Sequence, residues 1–203
     1  MRPSNAEIVR HHDDPPPPGA DPFLPGHVQT PYTIRIEEYD DEWPRRFTAA
    51  ERVVRRALGD RVRELHHVGS TAVPGLPAKP FVDVDLVVAD PTDEASYVPD
   101  LEAAGFGHRI REPWWHEHRL LVQDVPRVVL HVFGTDCPEV IRHLMFRDWL
   151  RSHPDDRERY AATKRAAAAA TNAVGGHGMD CNAHKQAVVH EIYERMFRAH
   201  GLL

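Results

Sequence analysis

Alternating apolar and polar residues predict a series of short β-strands along this chain. In the segment 81–88, Val84, Leu86 and Val88 alternate with Asp83 and Asp85, which is the twofold period of a half-buried strand. Similar runs predict strands at 32–36, 61–68, 106–110, 118–123 and 127–133. The last three are close together in sequence, so we expect them to pair antiparallel.

Apolar residues at helical spacing predict helices between and after these strands. A first helix begins near Asp41 and ends at Gly59. Its apolar stripe consists of Trp43, Phe47, Ala50, Val54 and Leu58. Further helices are predicted at 92–105, where Pro99 interrupts the pattern, and at 138–152, 156–174 and 180–200. This order predicts an α+β fold, a mixed sheet flanked by helices with a helical C-terminal part.

The N-terminal residues differ in composition from the rest of the chain. Residues 1–30 contain paired histidines and a run of four prolines but few apolar residues, which is typical of a disordered leader. The remaining segment, 31–203, has enough apolar residues for one domain with a sizeable core. We therefore expect a Pro/His-rich leader followed by a single domain.

Charge and composition exclude several classes of protein. The formal net charge of −6 argues against nonspecific nucleic-acid binding, which requires clustered Lys and Arg. Apolar runs do not approach the roughly 20 residues that span a bilayer, and the N-terminus lacks the apolar core of a signal peptide. We expect a cytoplasmic protein without membrane partners, in which the two cysteines are free thiols.

Asp83 and Asp85 are the strongest candidates for chemistry. Side chains at i and i+2 of a strand point to the same face and lie roughly 6.6 Å apart, so both carboxylates can reach one hard cation such as Mg²⁺. A solvent-facing strand surface is the alternative explanation for two such acids.

Gly69 and Ser70 favour a phosphate beside that cation. They follow the apolar Val68 directly, and twelve residues separate Ser70 from Asp83. A glycine permits close approach of the backbone, and a serine offers a hydroxyl and an amide to a phosphate. The intervening loop contains three prolines, so we expect a rigid, irregular segment over the site.

These residues carry a resemblance to known proteins. An apolar residue, Gly69-Ser70 and then Asp83 and Asp85 alternating with apolar residues resemble the signature of the polymerase-β-like nucleotidyltransferase superfamily. The longer stretch 67–80, followed by Asp83, resembles the hallmark of the GrpB family, and the resemblance spans about residues 32–197. Further marks of that family are Tyr39, Trp43-Pro44, 130–132, 146–151, Tyr160, Lys164 and Lys185. The resemblance implies a nucleotidyltransferase-like fold, also found joined to dephospho-coenzyme A kinase in some bacteria, and no settled activity.

The metal ligands implied by the resemblance differ from the superfamily pattern at one position. Superfamily enzymes usually carry a third carboxylate on a strand after the aspartate pair, and the corresponding element 130–132 presents His131. An imidazole suits Zn²⁺ or Mn²⁺ better than Mg²⁺. We expect Asp83, Asp85 and His131 to hold Mg²⁺, with Mn²⁺ or Zn²⁺ as alternatives. Asp124, at a predicted turn, is a weaker candidate for the third acid, and His116 or His118 could add a ligand from one strand face.

Polar and basic residues near the family motif are candidates for phosphate binding. They are His67, Gly69, Ser70, Thr71, Lys79, Arg147 and Arg151, with Lys164 and Lys185 as weaker candidates. Arg147 and Arg151 lie one helical turn apart, so both guanidiniums can face one groove, or can simply form a surface array. In the alternative interpretations His67 orders the loop, and Lys79 forms an ion pair with Asp83 or Asp85.

Three functions are compatible with these residues. The first is a nucleotidyltransferase in which Asp83 and Asp85 are catalytic and a nucleoside monophosphate passes from a nucleoside triphosphate to an unknown small-molecule or protein acceptor. The second is a noncatalytic nucleotide- or coenzyme-binding accessory protein that has lost the third acid. A metal-dependent hydrolase that uses the histidines ranks last.

Overall fold

A mixed five-stranded sheet forms the centre of the protein. The computed structural model describes residues 2–11, 16–28 and 31–203. Its strands are β1 Glu64–Val68, β2 Val82–Val88, β3 Gly107–Glu112, β4 His118–Gln123 and β5 Val128–Gly134. The spatial order is β1-β2-β5-β4-β3, with β2 and β5 parallel and the other neighbouring pairs antiparallel. The predicted α+β fold is confirmed, including the antiparallel pairing of the last three strands.

Helices cover both faces of the sheet and form the C-terminal part of the chain. Within the described residues they are α1 Asn5–Val9, α2 Glu42–Leu58, α3 Val98–Ala103, α4 Pro138–Ser152, α5 Pro154–Ala173, α6 Gly178–Ala183 and α7 Gln186–Ala199. Gly59 ends α2 with a φ of 56°, as the sequence predicts. None of these helices is long and apolar enough to cross a membrane.

The alternation in β2 divides the sheet into an apolar face and a face that carries the aspartates. Val82, Val84, Leu86 and Val88 pack with α2 and α3 in the larger core. Val87, on the opposite face with Asp83 and Asp85, packs in a second cluster with Val140 of α4. A shift of one residue in register would turn both aspartates into the larger core, so the pattern specifies the register strongly.

Three predicted elements differ from the structure. The helix predicted at 92–105 is shortened to α3, which begins at Val98 with Pro99 in its first turn. Residues 32–36 form no strand, because Ile34 pairs with a side chain: its N–H donates to Asn172 Oδ1 at 2.8 Å, and Asn172 Nδ2 donates to the Ile34 carbonyl at 2.9 Å. The helix predicted at 180–200 is divided into α6 and α7. The two parts pack into different apolar clusters, with Cys181 against Ile34 and Ile192 in the core of the C-terminal helices.

The N-terminal segment is ordered where it is described. Ser4 and Glu7 form a capping box at the start of α1, and Ile8 is only 3% exposed among the C-terminal helices. Further along, the Leu24 N–H donates to the carbonyl of Arg109 in β3. Ile8 and the Leu24 N–H thus bring two described parts of the segment into contact with the domain, and the disordered leader over 1–30 stays a prediction. Of the predicted leader, residues 1, 12–15 and 29–30 lie outside the described residues.

Candidate functional site

The aspartate pair lies on the face of β2 that is covered by α4. The Asp85 side chain is completely buried, whereas the Asp83 side chain is 34% exposed, at the edge of the site. In the parallel pairing of β2 with β5, His131 lies opposite Asp85. The structure therefore places the three predicted metal ligands on adjacent strands.

Gly69 brings the predicted phosphate turn against Asp83. Its φ of 67° lies in the region that favours glycine, and a Cβ at this position would overlap Asp83 Oδ2. Ser70 follows at the start of a short 3₁₀ helix, Ser70–Ala72, and is partly exposed. The Gly-Ser turn and the aspartate pair are thus adjacent in space, as their spacing in the sequence suggests.

His67 and Thr71 are bonded to each other. His67 Nε2 lies 3.0 Å from Thr71 Oγ1, and the His67 ring stacks on Phe47 with centroids 4.8 Å apart. Burial, with the nearby charges of Arg151 and Arg147, lowers the pKa of His67 to about 4, so the ring is neutral. The contacts support the interpretation in which His67 orders the loop.

Arg147 and Arg151 hold the same loop by its backbone. Arg147 Nη1 donates to the His67 carbonyl at 3.0 Å, and Arg151 Nη2 donates to the Ala72 carbonyl at 2.8 Å. Both guanidiniums also bond Asp148, and the hydrogen bond from Arg147 is the main cause of the lowered pKa of that carboxyl group. Much of their hydrogen-bonding capacity is therefore used within the protein. The two guanidiniums also place positive charge beside the loop.

Three lysines, here called the lysine cluster, interact electrostatically with Asp83. They are Lys79 from the loop, Lys164 from α5 and Lys185 from the junction of α6 and α7. Lys164 and Lys185 also lie against the Tyr160 ring, with Nζ atoms 4.8 and 5.8 Å from its centroid. The sequence placed Lys79 in the site and ranked the other two lower, whereas the structure brings all three together.

Lys164 is the most unusual member of the lysine cluster. It is 4% exposed, and among the described residues its Nζ atom has no hydrogen-bond partner. Burial is the main cause that lowers its pKa to about 6. A buried amine without a partner is costly, and an anion bound beside it would supply the missing charge and acceptors.

Burial and the nearby charges shift the pKa of Asp83 in opposite directions. Burial raises the pKa of Asp83 to about 6, and the nearby charges of Lys79 and Lys185 act in the opposite direction. The carboxyl group is therefore easier to protonate than an ordinary aspartate, and a bound cation would keep it ionised.

Asp85 is paired with a helix residue that sequence reasoning missed. His143 Nδ1 donates to Asp85 Oδ2 at 2.9 Å, and its Nε2 lies 3.3 Å from Glu139 Oε1. Although burial opposes it, the charge of Asp85 and the hydrogen bonds to both carboxylates raise the pKa of His143 well above its usual value. The only sequence signal was the spacing of Glu139 and His143, one turn apart on the helix after β5.

His131 lies between Asp83 and a second histidine. Its Nε2 is 4.0 Å from Asp83 Oδ1, and its Nδ1 is 3.1 Å from His118 Nε2. Burial is the main cause that lowers the pKa of His131 to about 3, so the ring is neutral. His116 does not share a strand face with His118, because it lies in the preceding turn with a φ of 53°.

Asp124, the weaker candidate for a third acid, is engaged elsewhere. It is exposed in the turn between β4 and β5, 3.0 Å from Arg109 Nη2 and 3.7 Å from Arg127 Nη1. These arginines neutralise it, so the structure gives it no part in the site.

The donor set fits a metal ion that is bound together with a phosphate ligand. Within the part of the chain that is described, no three or more His, Cys, Asp or Glu side chains are placed to hold a metal ion by themselves. However, Asp85 Oδ1 is buried and has no hydrogen-bond partner in the described part of the chain, and it lies on the same strand face as the partly exposed Asp83. Mg²⁺ commonly takes one or two carboxylates and completes its shell with phosphate oxygens and water, so two aspartates are a sufficient protein contribution.

Two comparisons with known proteins, a family model and a relative of high identity, show the family of this chain. A family model described as GrpB protein matches residues 33–195. A UPF0157 protein of Halalkalibacterium halodurans is 44% identical over 163 residues, which cover 80% of this chain and 82% of that protein. The crystal structure of the conserved protein GrpB from Enterococcus faecalis superposes with a TM-score of 0.71 and 24% identity, covering 82% of this chain and 99% of that one. A dephospho-CoA kinase of Mycolicibacterium paratuberculosis is 31% identical over 66% of this chain but only 39% of its own length.

Proposed function

The chain belongs to the GrpB family, and from its site we propose that it is a metal-dependent nucleotidyltransferase. In the proposed reaction an acceptor hydroxyl or amine attacks the α-phosphorus of a nucleoside triphosphate. The bond between the α-phosphorus and the bridging oxygen breaks, and pyrophosphate and the acceptor's proton leave. One observation carries the proposal: the Gly69-Ser70 turn and the lysine cluster both lie near Asp83, at the beginning of β2.

The two aspartates would hold the divalent cation, and His131 lies beside them. When bound, the cation would neutralise phosphate charge and orient the phosphoryl group for in-line displacement. Asp83 is accessible from solvent, and Asp85 has one carboxylate oxygen without a hydrogen-bond partner among the described residues, so each can supply one ligand. His143 holds the other oxygen of Asp85 and thereby orients that carboxylate.

The phosphates would lie between the Gly-Ser turn and the lysine cluster. Gly69 lets the backbone approach Asp83 closely, and Ser70 is partly exposed with its hydroxyl available to a phosphate oxygen. Lys79, Lys164 and Lys185, which interact with Asp83, would balance the negative charge of a triphosphate. Thr71 and His67 are bonded to each other and hold the turn in shape, and Arg147 and Arg151 fix its carbonyls.

The test is pyrophosphate release from each nucleoside triphosphate with Mg²⁺ or Mn²⁺, against a pool of small-molecule and protein acceptors. Asp83→Asn keeps the size of the side chain and removes its charge, so turnover should fall by at least about a hundredfold. Asp124→Asn is the matched control, because Asp124 is an exposed acid paired with arginines away from the site. A signal that persists unchanged in Asp83→Asn rejects the catalytic assignment.

A noncatalytic nucleotide- or coenzyme-binding protein is the second candidate. Two observations favour it: His131 stands in place of a third carboxylate, and Asp124 is paired elsewhere. Equilibrium binding of a nonhydrolysable nucleoside triphosphate separates the two functions. Binding that depends on Asp83, combined with no turnover for any acceptor, supports this second function.

A further inference from the structure

A chain of hydrogen bonds leads from the edge of the sheet to the aspartate pair. Glu112, at the end of β3, has its Oε2 atom 2.7 Å from His118 Nδ1. His118 Nε2 in turn lies 3.1 Å from His131 Nδ1, and the opposite nitrogen of His131 faces Asp83. We call Glu112, His118 and His131 the histidine chain.

His118, the middle member of the histidine chain, is buried inside the protein. Its side chain is 2% exposed, and Glu112 is 24% exposed. The ring lies against Trp115 and Phe133, with centroid distances of 4.8 and 5.0 Å, so it cannot rotate freely. Both nitrogens of the His118 ring are hydrogen-bonded, so in the neutral ring one nitrogen donates and the other accepts.

The order of donors follows from Glu112. Burial raises the pKa of the Glu112 carboxyl group, whose side chain is 24% exposed. In its ionised form this carboxylate can only accept, so His118 Nδ1 then carries the hydrogen and His118 Nε2 is the acceptor. His131 Nδ1 must then carry a hydrogen and donate it to His118, which leaves a lone pair on His131 Nε2. The 4.0 Å between His131 Nε2 and Asp83 Oδ1 is longer than a hydrogen bond, in agreement with a bare nitrogen at this position.

We propose that Glu112 and His118 are positioning residues that hold the His131 Nε2 lone pair toward the cation at Asp83, so that the site prefers a divalent transition-metal ion such as Mn²⁺ to Mg²⁺. The inference rests on the proposed function. A nitrogen donor raises the affinity for ions later in the first transition series, whereas Mg²⁺ gains little from it. Partners behind a metal-binding histidine fix its tautomer and orientation, and their loss typically weakens metal binding 10–100-fold.

The experiment titrates Mn²⁺ and Mg²⁺ into the full chain by calorimetry at neutral pH, with and without a nonhydrolysable nucleoside triphosphate. His118→Phe keeps an aromatic ring between Trp115 and Phe133 but removes both nitrogens. It should weaken Mn²⁺ binding about tenfold or more and change Mg²⁺ binding less than about threefold. His118→Gln can still donate to Glu112 and accept from His131, so it should restore most of the Mn²⁺ affinity.

A matched control separates this effect from the loss of any buried histidine. His108 is also buried, but its Nε2 lies 3.1 Å from the carbonyl of Ile110 in its own strand. His108→Phe should leave the ratio of the Mn²⁺ and Mg²⁺ affinities unchanged. If His118→Phe does not fold, Glu112→Ala, a change at a partly exposed position, is measured in its place with the same expectation for Mn²⁺.

The possible results also distinguish this inference from the proposed function. Unchanged Mn²⁺ binding in folded His118→Phe, or equal losses for both ions, overturns the positioning role. If Asp83→Asn abolishes binding of both ions while His118→Phe leaves both intact, the proposed cation site stands and only the histidine chain is rejected. A wild-type chain that binds neither ion, with or without nucleotide, rejects both.

Discussion

His143 Nδ1 donates to Asp85 Oδ2 at 2.9 Å, so the more deeply buried of the two aspartates is tied to α4. Asp83, two residues away, lies 4.0 Å from His131 Nε2 and interacts with the charges of the lysine cluster. The two carboxylates therefore differ in environment although they are neighbours on one strand face. His143 provides the charge that makes a fully buried Asp85 tolerable.

Removing that imidazole should destabilise the fold. In His143→Leu the volume is largely kept, but Asp85 and Glu139 lose their shared partner, and breaking a buried pair typically costs about 3–5 kcal/mol. His66→Leu is the control, since the side chains of His66 and its partner Glu64 are 27% and 57% exposed and the expected loss for such a pair is below about 1 kcal/mol. Urea denaturation followed by circular dichroism measures both. Equal losses of unfolding free energy in the two variants would show that the buried pair stabilises the fold no more than the pair of His66 and Glu64 does.

Gly69 should not tolerate even a methyl group. In Gly69→Ala the new Cβ overlaps Asp83 Oδ2, so the aspartate or the turn must move, and both stability and nucleotide binding should fall. Gly75 has a similar positive φ of 76° but open space around it, so Gly75→Ala carries only the backbone strain, about 1–2 kcal/mol. We expect Gly69→Ala to lose clearly more than Gly75→Ala in urea unfolding, and to be the only one of the two that loses nucleotide binding. Similar behaviour of the two variants would contradict the close approach.

Lys164 should make stability depend on pH in a defined direction. Its pKa is lowered to about 6 in the folded protein, whereas an unfolded lysine has a pKa of roughly 10.4. Between these values the unfolded chain binds a proton that the folded chain does not, so the penalty from Lys164 is complete below pH 6 and disappears as pH rises toward 10. Relative to Lys164→Met, the wild type should gain up to about 1 kcal/mol of unfolding free energy per pH unit between pH 7 and 9. Parallel pH profiles of the two proteins would mean that Lys164 stays charged in the folded state.

The N-terminal segment should contribute to stability through Ile8. This side chain is 3% exposed among the C-terminal helices, and truncation of a buried isoleucine typically costs about 2–5 kcal/mol. Ile8→Ala is compared with Val28→Ala, because Val28 is 77% exposed in the same part of the chain. Thermal unfolding should show a lower midpoint only for Ile8→Ala. An unchanged midpoint would restore the disordered leader that the composition predicts.

The sequence predicted the parts of the site that are close together along the chain. The period of two in β2 and the glycine before Ser70 were sufficient to place Asp83, Asp85 and the turn on one face. Contacts between distant elements were not predictable in this way. His143 comes from a helix with only weak amphipathic character, and nothing local indicates that it faces Asp85. The same applies to Asn172, whose side chain replaces the strand partner of Ile34.

The most direct test of the central claim is a crystal structure of the full chain with Mg²⁺ or Mn²⁺ and a nonhydrolysable nucleoside triphosphate. We expect the cation at the carboxylates of Asp83 and Asp85, and the phosphates between Gly69-Ser70 and the lysine cluster. Nucleotide density elsewhere on the molecule, with the aspartate face empty, would contradict it.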